Sequence, residues 1–189
     1  MSRIIIISGP SGTGKGTVIE HLMKDDSLHL SFSISATNRA PRGQEKHGVE
    51  YYFLSDQEFT DNIAQGLFIE YVEVYPGRYY GTLKSELNRV DALGRNLLLD
   101  IDVEGAVQVK ELYKGQVLTI FLQPPSIETL KERLEKRGTE TAELIASRLE
   151  RTAYELSFAD KFDRTFVNDH LDVCVEEVKG AIRAFLAEQ

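Results

Sequence analysis

The sequence predicts an α/β fold: a three-layer core around a parallel sheet, a small insert of mixed helix and strand, and a separate helical excursion. Short continuous apolar runs recur at Ile4 to Ile7, Leu97 to Ile101, Val117 to Leu122 and Thr165 to Val167, each followed by a segment with helical spacing. Runs that are apolar at every position suit strands covered on both faces, and their alternation with helices is the α/β signature. The stretch from about Arg39 to Leu83 breaks that rhythm with polar residues, aromatics and turn signals, so it reads as an insert. A second break follows Pro124-Pro125, where two arginine-rich helical segments precede the last strand.

The elements follow in order. Arg3 leads into Ile4 to Ile7, the first strand, and Gly9-Pro10-Ser11-Gly12-Thr13-Gly14-Lys15 comes directly after it, ahead of a helical pattern through Val18, Ile19 and Leu22. Strand, glycine-rich loop with lysine, and helix together are the context of a P-loop. The glycines let successive backbone N–H groups turn toward one centre, the helix N-terminus adds partial positive charge, and Lys15 reaches terminal phosphates. The pattern assigns Gly9 to Thr17 to a nucleoside triphosphate, within the P-loop NTPase class. Gly16 stands where a Ser or Thr usually donates a hydroxyl to Mg²⁺, and Thr17 is the next hydroxyl. Water-mediated contacts are therefore expected to replace direct ligation, and the metal ligands stay unassigned. A dinucleotide fingerprint is excluded because Thr17 occupies the place of its third glycine.

Ser31 to Ser35 alternates Phe32 and Ile34 with serines, which suits a strand beside a site. Within the insert, Ser55-Asp56-Gln57-Glu58 is a capping box that opens a helix expected to carry Phe59, Ile63 and Leu67 on one face, with Gly66 near its end. Tyr51 to Leu54 and Tyr71 to Val74 read as strands, and Pro76-Gly77 as a turn ahead of Tyr79 and Tyr80. The expectation is a small antiparallel sheet with one helix. Leu98-Leu99-Asp100-Ile101-Asp102 puts carboxylates at the end of a buried strand, where P-loop proteins order Mg²⁺ and its waters, and Asp102 is the choice for that role. Asp102-Val103-Glu104-Gly105 also matches a motif of regulatory GTPases, but no Asn-Lys-x-Asp segment is present to read guanine as those switches do.

Ser126 starts a helix bearing Leu130 and Leu134 that is expected to halt at Gly138, and a second helix runs from about Thr141 to Ala159. They carry Arg133, Arg137, Arg148 and Arg151; taken alone, these read as a solvated face paired with Glu132, Glu135 and Glu150. The chain closes on an amphipathic helix with Val175, Val178, Ile182 and Phe185 facing the sheet.

Composition narrows the function. The 189 residues, 42% hydrophobic and 28% charged, suit one globular domain and not two catalytic ones. A net charge of −8 disfavours a nucleic-acid polymer as partner. The single Cys174 forms no intrachain disulfide and no signal peptide is recognisable, which points to a cytoplasmic setting. No run approaches the roughly 20 apolar residues of a membrane span. A second site is legible in the insert. Arg39 and Arg42 flank Pro41 and can grip one phosphate with planar forks, with Tyr51 and Tyr80 adding hydroxyls. A carboxylate such as Glu70 suits the N1 and N2 donors of guanine, and Ser35 and Thr82 suit its O6 and N7 acceptors.

In chain order, Ser35-Ala36-Thr37-Asn38-Arg39-Ala40-Pro41-Arg42, Gly48-Val49-Glu50-Tyr51-Tyr52-Phe53, Phe68-Ile69-Glu70, Tyr79-Tyr80-Gly81-Thr82, Asp100-Ile101-Asp102-Val103-Glu104-Gly105, Arg133 to Thr141 and Val167-Asn168-Asp169 closely resemble successive motifs of guanylate kinase. The resemblance covers nearly the whole chain. It departs from the usual pattern at Gly16, Ala36 and Asn38, and in a slightly longer turn from Tyr75 to Arg78. It implies a single three-part enzyme with a core of residues 1–34, 84–124 and 160–189, a GMP-binding insert of residues 35–83, and a lid of residues 125–159. Carried over, Ser35, Glu70 and Thr82 read guanine, with Asp102 in the same GMP site, Arg39, Arg42, Tyr51 and Tyr80 hold the GMP phosphate, and Asn168 lies by the adenine of ATP. The implied reaction is ATP plus GMP giving ADP plus GDP, with Mg²⁺ accompanying ATP. Lys15, with Arg133, Arg137 and Arg148 brought in by lid closure, balances charge on the transferred group, and Arg151 supports them. The acceptor phosphate, with a second pKa of about 6, is already largely ionised near neutrality, so no general base is required. His21, His29, His47 and His170 accordingly form no catalytic constellation. The rival from another class is a non-catalytic binding module of the same fold; the intact lysine loop and acceptor set favour the enzyme.

Overall fold

The computed structural model describes residues 2–137 and 142–188, with side chains except at Tyr75, Arg133, Arg137, Ala142, Glu143, Leu144 and Arg148. In chain order the elements are β1 (Ile4–Ser8), α1 (Lys15–Met23), β2 (Leu30–Phe32), β3 (Ser35–Thr37), β4 (Tyr51–Phe53), α2 (Asp56–Ala64), β5 (Phe68–Tyr75), β6 (Arg78–Leu83), α3 (Ser85–Ala92), β7 (Asn96–Asp100), α4 (Val103–Leu112), β8 (Val117–Gln123), α5 (Ile127–Arg137), α6 (Ala142–Leu156), β9 (Arg164–Val167) and α7 (Leu171–Ala187).

β1 is the centre of a five-stranded sheet in the order β2-β7-β1-β8-β9, parallel at every pairing. Its four isoleucines explain the layering. Ile5 and Ile7 point to one face, against Val18 and Leu22 of α1 and Val175, Val178 and Ile182 of α7. Ile4 and Ile6 point to the other, against Val90 of α3 and Val103, Ala106 and Val109 of α4. All four are at most 1% exposed, and each contributes about 1.5–3 kcal/mol by leaving water.

The second sheet runs β4-β3-β6-β5. Here the sequence expectation needs correction, because the sheet is mixed: β6 pairs antiparallel with β3 and β5, but β3 and β4 are parallel. The cause is the long connection of residues 38–50, which carries the chain back to the start of its neighbour instead of turning as a hairpin. Phe59 fills the small core of this sheet, stacked on Phe68 at 4.5 Å and Tyr79 at 5.5 Å between ring centroids. The capping box of Ser55 and Glu58 is formed, but α2 stops at Ala64. Gly66, with φ at +64°, turns the chain away, so Leu67 leaves the helix face expected for it and is 41% exposed.

The expected strand from Ser31 to Ser35 is two strands in different sheets. The Ser33 N–H still donates to Leu98 O of β7, and two residues later Ser35 pairs with Tyr51 of β4. α5 and α6 pack on each other through Leu130, Leu134, Ile145 and Leu149. Ser126 caps α5 by accepting from the Thr129 N–H. The predicted halt at Gly138 and start at Thr141 lie outside the described residues. α6 ends at Leu156, short of Ala159, where a single 3₁₀ turn begins. Among the described residues no helix is long and apolar enough to cross a membrane.

Candidate functional site

The loop between β1 and α1 is held tightly from both sides. Gly9 has φ at +139°, and a Cβ there would lie 2.0 Å from the Leu122 carbonyl oxygen of β8. Gly14, at φ +89°, caps α1, and a Cβ there would lie 2.6 Å from Asn168 Nδ2. Only glycine allows both the dihedral and the approach. Thr13 Oγ1 donates to Pro10 O at 2.8 Å, and Asn168 Nδ2 donates to Thr13 O at 2.7 Å, so the loop is braced from within and from behind β9. Lys15 Nζ lies across the loop, donating to Gly9 O at 2.5 Å. Burial pulls the Lys15 ammonium below its ordinary value, opposed by the charges of Asp100 and Glu155. Beside the loop lies a cavity of about 380 Å³ lined by Gly12, Gly14, Thr17, Lys136, Asn168, Asp169 and Leu171.

A second cleft, of about 190 Å³, opens between the insert sheet and the end of β7. Ser35, Tyr51, Glu70 and Tyr80 enter it from the insert, and Asp100 and Asp102 from the core. Glu70 is 6% exposed, and its Oε1 accepts from Thr82 Oγ1 at 2.7 Å. Burial lifts its carboxyl to about 7; the Thr82 hydrogen bond lowers it and the Asp102 charge raises it further. Arg39 is buried, with Nε donating to Tyr80 Oη at 3.1 Å and its guanidinium carbon 4.9 Å from the Tyr51 ring centroid. The Glu70 carboxylate thus lines one small cleft, the Arg39 guanidinium is bonded to Tyr80 beside it, and Asp100 interacts with Lys15 of the loop.

A family model described as guanylate kinase matches residues 1–185. The chain belongs to the guanylate kinase family. It is 52% identical over 188 residues to a guanylate kinase of Porphyromonas gingivalis, covering 100% of both chains. It is 49% identical over 185 residues to one of Bacteroides fragilis, covering 98% of this chain and 90% of the relative. The crystal structure of guanylate kinase from Anaplasma phagocytophilum superposes with a TM-score of 0.75 at 30% identity, covering 100% of this chain and 88% of that one.

Measured against the sequence-derived site, Ser35, Tyr51, Glu70, Tyr80 and Asp102 meet in one cleft, with Thr82 bonded to Glu70 behind it and Arg39 bonded to Tyr80 at its side. Arg42 has an exposed side chain, while its backbone N–H donates to Glu45 Oε2 at 2.8 Å. Gly12, Gly14, Thr17 and Asn168 line the other cavity. Arg133, Arg137 and Arg148 lie on α5 and α6, with their side chains outside those described. Arg151 pairs with Glu155 through Nε at 3.0 Å.

Two residues given no role by the sequence stand beside the site. Asp100, which the sequence places with Asp102 at the end of a buried strand, ends β7 and interacts with Lys15; desolvation in the cleft raises its carboxyl, offset by the lysine charge. Asp102 caps α4, its Oδ1 accepting from the N–H groups of Glu104 and Gly105 at 2.9 Å each. The signal was present, since a run buried at every position had to end where its first charge appears. Glu45 was the other. Its carboxylate holds both terminal nitrogens of Arg39, at 2.6 and 2.8 Å, and these bonds hold its carboxyl down to about 2. Nothing short of the folded 38–50 connection brings Glu45 to Arg39.

Proposed function

We propose that the chain transfers the terminal phosphoryl group of ATP to GMP, giving ADP and GDP, with ATP on the lysine loop and GMP in the insert cleft. The observation that carries this assignment of sites is the pairing, across Asp100, of a phosphate-type loop with a cleft lined by the Glu70 carboxylate, Tyr51 and Tyr80, with Arg39 bonded to Tyr80 beside it. Glu70 meets the N1 and N2 donors of guanine, with Ser35 and Thr82 beside it; Arg39, Arg42, Tyr51 and Tyr80 hold the GMP phosphate. Adenine would set a ring nitrogen acceptor against the Glu70 carboxylate, which selects guanine. Asn168 flanks the adenine side of the ATP cavity and also holds the loop's shape.

An oxygen of the GMP phosphate attacks the γ-phosphorus of ATP. The new P–O bond forms as the bond to the β-phosphate oxygen breaks, and that electron pair leaves with ADP. No proton has to be removed from the nucleophile near neutrality, so catalysis rests on alignment and charge. Lys15 supplies fixed positive charge at the loop. Arg133, Arg137 and Arg148 approach the same charge when α5 and α6 close, and closure keeps water from competing as acceptor. Among the described residues no group of three or more carboxylate, His or Cys side chains is arranged to hold a metal ion. Asp100 and Asp102 are oxygen donors that fit an ion arriving with the nucleotide and held largely through water, in keeping with Gly16 in place of a hydroxyl. Mg²⁺ there would neutralise phosphate charge.

The test is ADP release with GMP, dGMP, AMP or no acceptor. GMP-dependent release far above the AMP and no-acceptor rates is expected. Equal release with all four would remove the acceptor cleft.

A further inference from the structure

The core and the insert exchange the chain twice, at residues 33–35 and at 83–85, and one buried carboxylate sits at both crossings. Glu86, in the first turn of α3, is fully buried. Its Oε2 accepts the Ile34 N–H at 2.8 Å, and its Oε1 accepts Tyr52 Oη of β4 at 2.8 Å. Arg89 closes the fork from the other side, Nε to Oε1 at 2.9 Å and NH2 to Oε2 at 2.7 Å. The same guanidinium donates to Phe32 O of β2 at 3.0 Å. Burial alone would raise the Glu86 carboxyl, but the bonds from Arg89, the Ile34 N–H and Tyr52 bring it below its ordinary value, so it stays a carboxylate.

Ile34, at the first crossing, and Tyr52, within the insert, are each next to a residue of the acceptor cleft. Ile34 precedes Ser35, and Tyr52 follows Tyr51. The Ser33 N–H still belongs to the core sheet through Leu98 O, so the Ile34 N–H is the first donor past the last core-sheet bond, and Glu86 takes it. A buried carboxylate with four donors is costly to move as a unit, since a shift that breaks one bond leaves a desolvated group unpaired.

We infer that Glu86, held by Arg89, is a positioning residue for the GMP site, fixing Ser35 through the Ile34 N–H and Tyr51 through the Tyr52 hydroxyl. This rests on the reading that GMP occupies the cleft of Ser35, Tyr51 and Glu70. It also separates the two substrates: no atom of Glu86, Arg89 or Tyr52 lines the cavity beside the lysine loop. Loss of the node loosens the acceptor site and leaves the donor site as it was.

The test uses the full chain, with KM and kcat measured separately for GMP and for ATP. Tyr52→Phe removes one hydroxyl and keeps the ring; it is expected to raise KM for GMP by about fivefold, less than the more than about tenfold of a hydrogen bond to a charged group lost outright, because the hydroxyl acts on the site through its neighbour Tyr51. Glu86→Gln, which must turn an amide N–H₂ toward a donor, is expected to raise it by more than about tenfold. KM for ATP stays within about twofold in both, and the double variant is no worse than Glu86→Gln, because Tyr52 acts through Glu86. A merely structural role would move both KM values together, and that result overturns the proposal. So does an unchanged KM for GMP in Tyr52→Phe, a variant that decides the matter even if Glu86→Gln does not fold. Ser35→Ala is measured alongside: if it too leaves KM for GMP unchanged, the cleft assignment itself has failed, whereas a raised value there confines the failure to Glu86.

Discussion

Glu70→Gln is expected to make the free protein more stable and a poorer kinase at once. Glu70 sits 6% exposed in the cleft, and burial lifts its carboxyl from 4.5 to about 7. That gap corresponds to about 3 kcal/mol of differential stability between the two protonation states. A carboxyl whose folded pKa is raised contributes stability that is complete below 4.5 and lost as the pH climbs through about 7. Glutamine carries no charge at any of these values and escapes the loss. The variant should therefore exceed the parent by under about 1 kcal/mol at pH 5 and by about 3 kcal/mol at pH 8. Urea unfolding followed by circular dichroism, at both pH values, measures this directly. Catalysis moves the other way: Gln offers guanine one acceptor oxygen in place of two, and loss of a charge-assisted bond of about 2 kcal/mol raises KM for GMP by about thirtyfold. A stability difference that does not grow between pH 5 and pH 8 would refute the burial argument, and an unchanged KM for GMP would refute the base-reading role.

Lys15→Ala is expected to lower kcat by about a thousandfold or more, as loss of a fixed transition-state charge does, with the melting temperature little changed; near-normal turnover would contradict the role of the loop. Arg39→Lys keeps the charge but cannot fork to Glu45 and reach Tyr80 together, so KM for GMP should rise by about tenfold in steady-state kinetics while KM for ATP holds. At Gly16 an added Cβ meets nothing within 4 Å, so Gly16→Ser should fold, gain about 0.5 kcal/mol from helix propensity in thermal melts, and retain activity.

The core was legible because its signals are local. Four adjacent isoleucines specify a strand covered on both faces, and the glycine and lysine spacing after it specifies the loop. The capping box likewise fixed the start of α2. What escaped depends on contacts distant in sequence. Whether β4 runs parallel or antiparallel to β3 is decided by the path of residues 38–50, and three-residue strands such as these carry no pattern that tells the two orientations apart. Leu67 has the right spacing for the α2 face, yet the left-handed Gly66 ends the helix first. That Asp100 ends β7 is legible from the first charge after the apolar run, but its place beside Lys15 depends on the pairing of β1 with β7. The Glu86 node joins residues 34, 52 and 86, which no motif connects.

Two separate nucleotide sites should be visible without turnover, by calorimetric titration of GMP and of a non-hydrolysable ATP analogue into the parent chain, Lys15→Ala and Glu70→Gln. The expected pattern is one GMP per chain, bound whether or not the analogue is present, with Lys15→Ala losing the analogue and keeping GMP, and Glu70→Gln doing the reverse. Displacement of GMP by the analogue, or loss of both ligands in either variant, would contradict it.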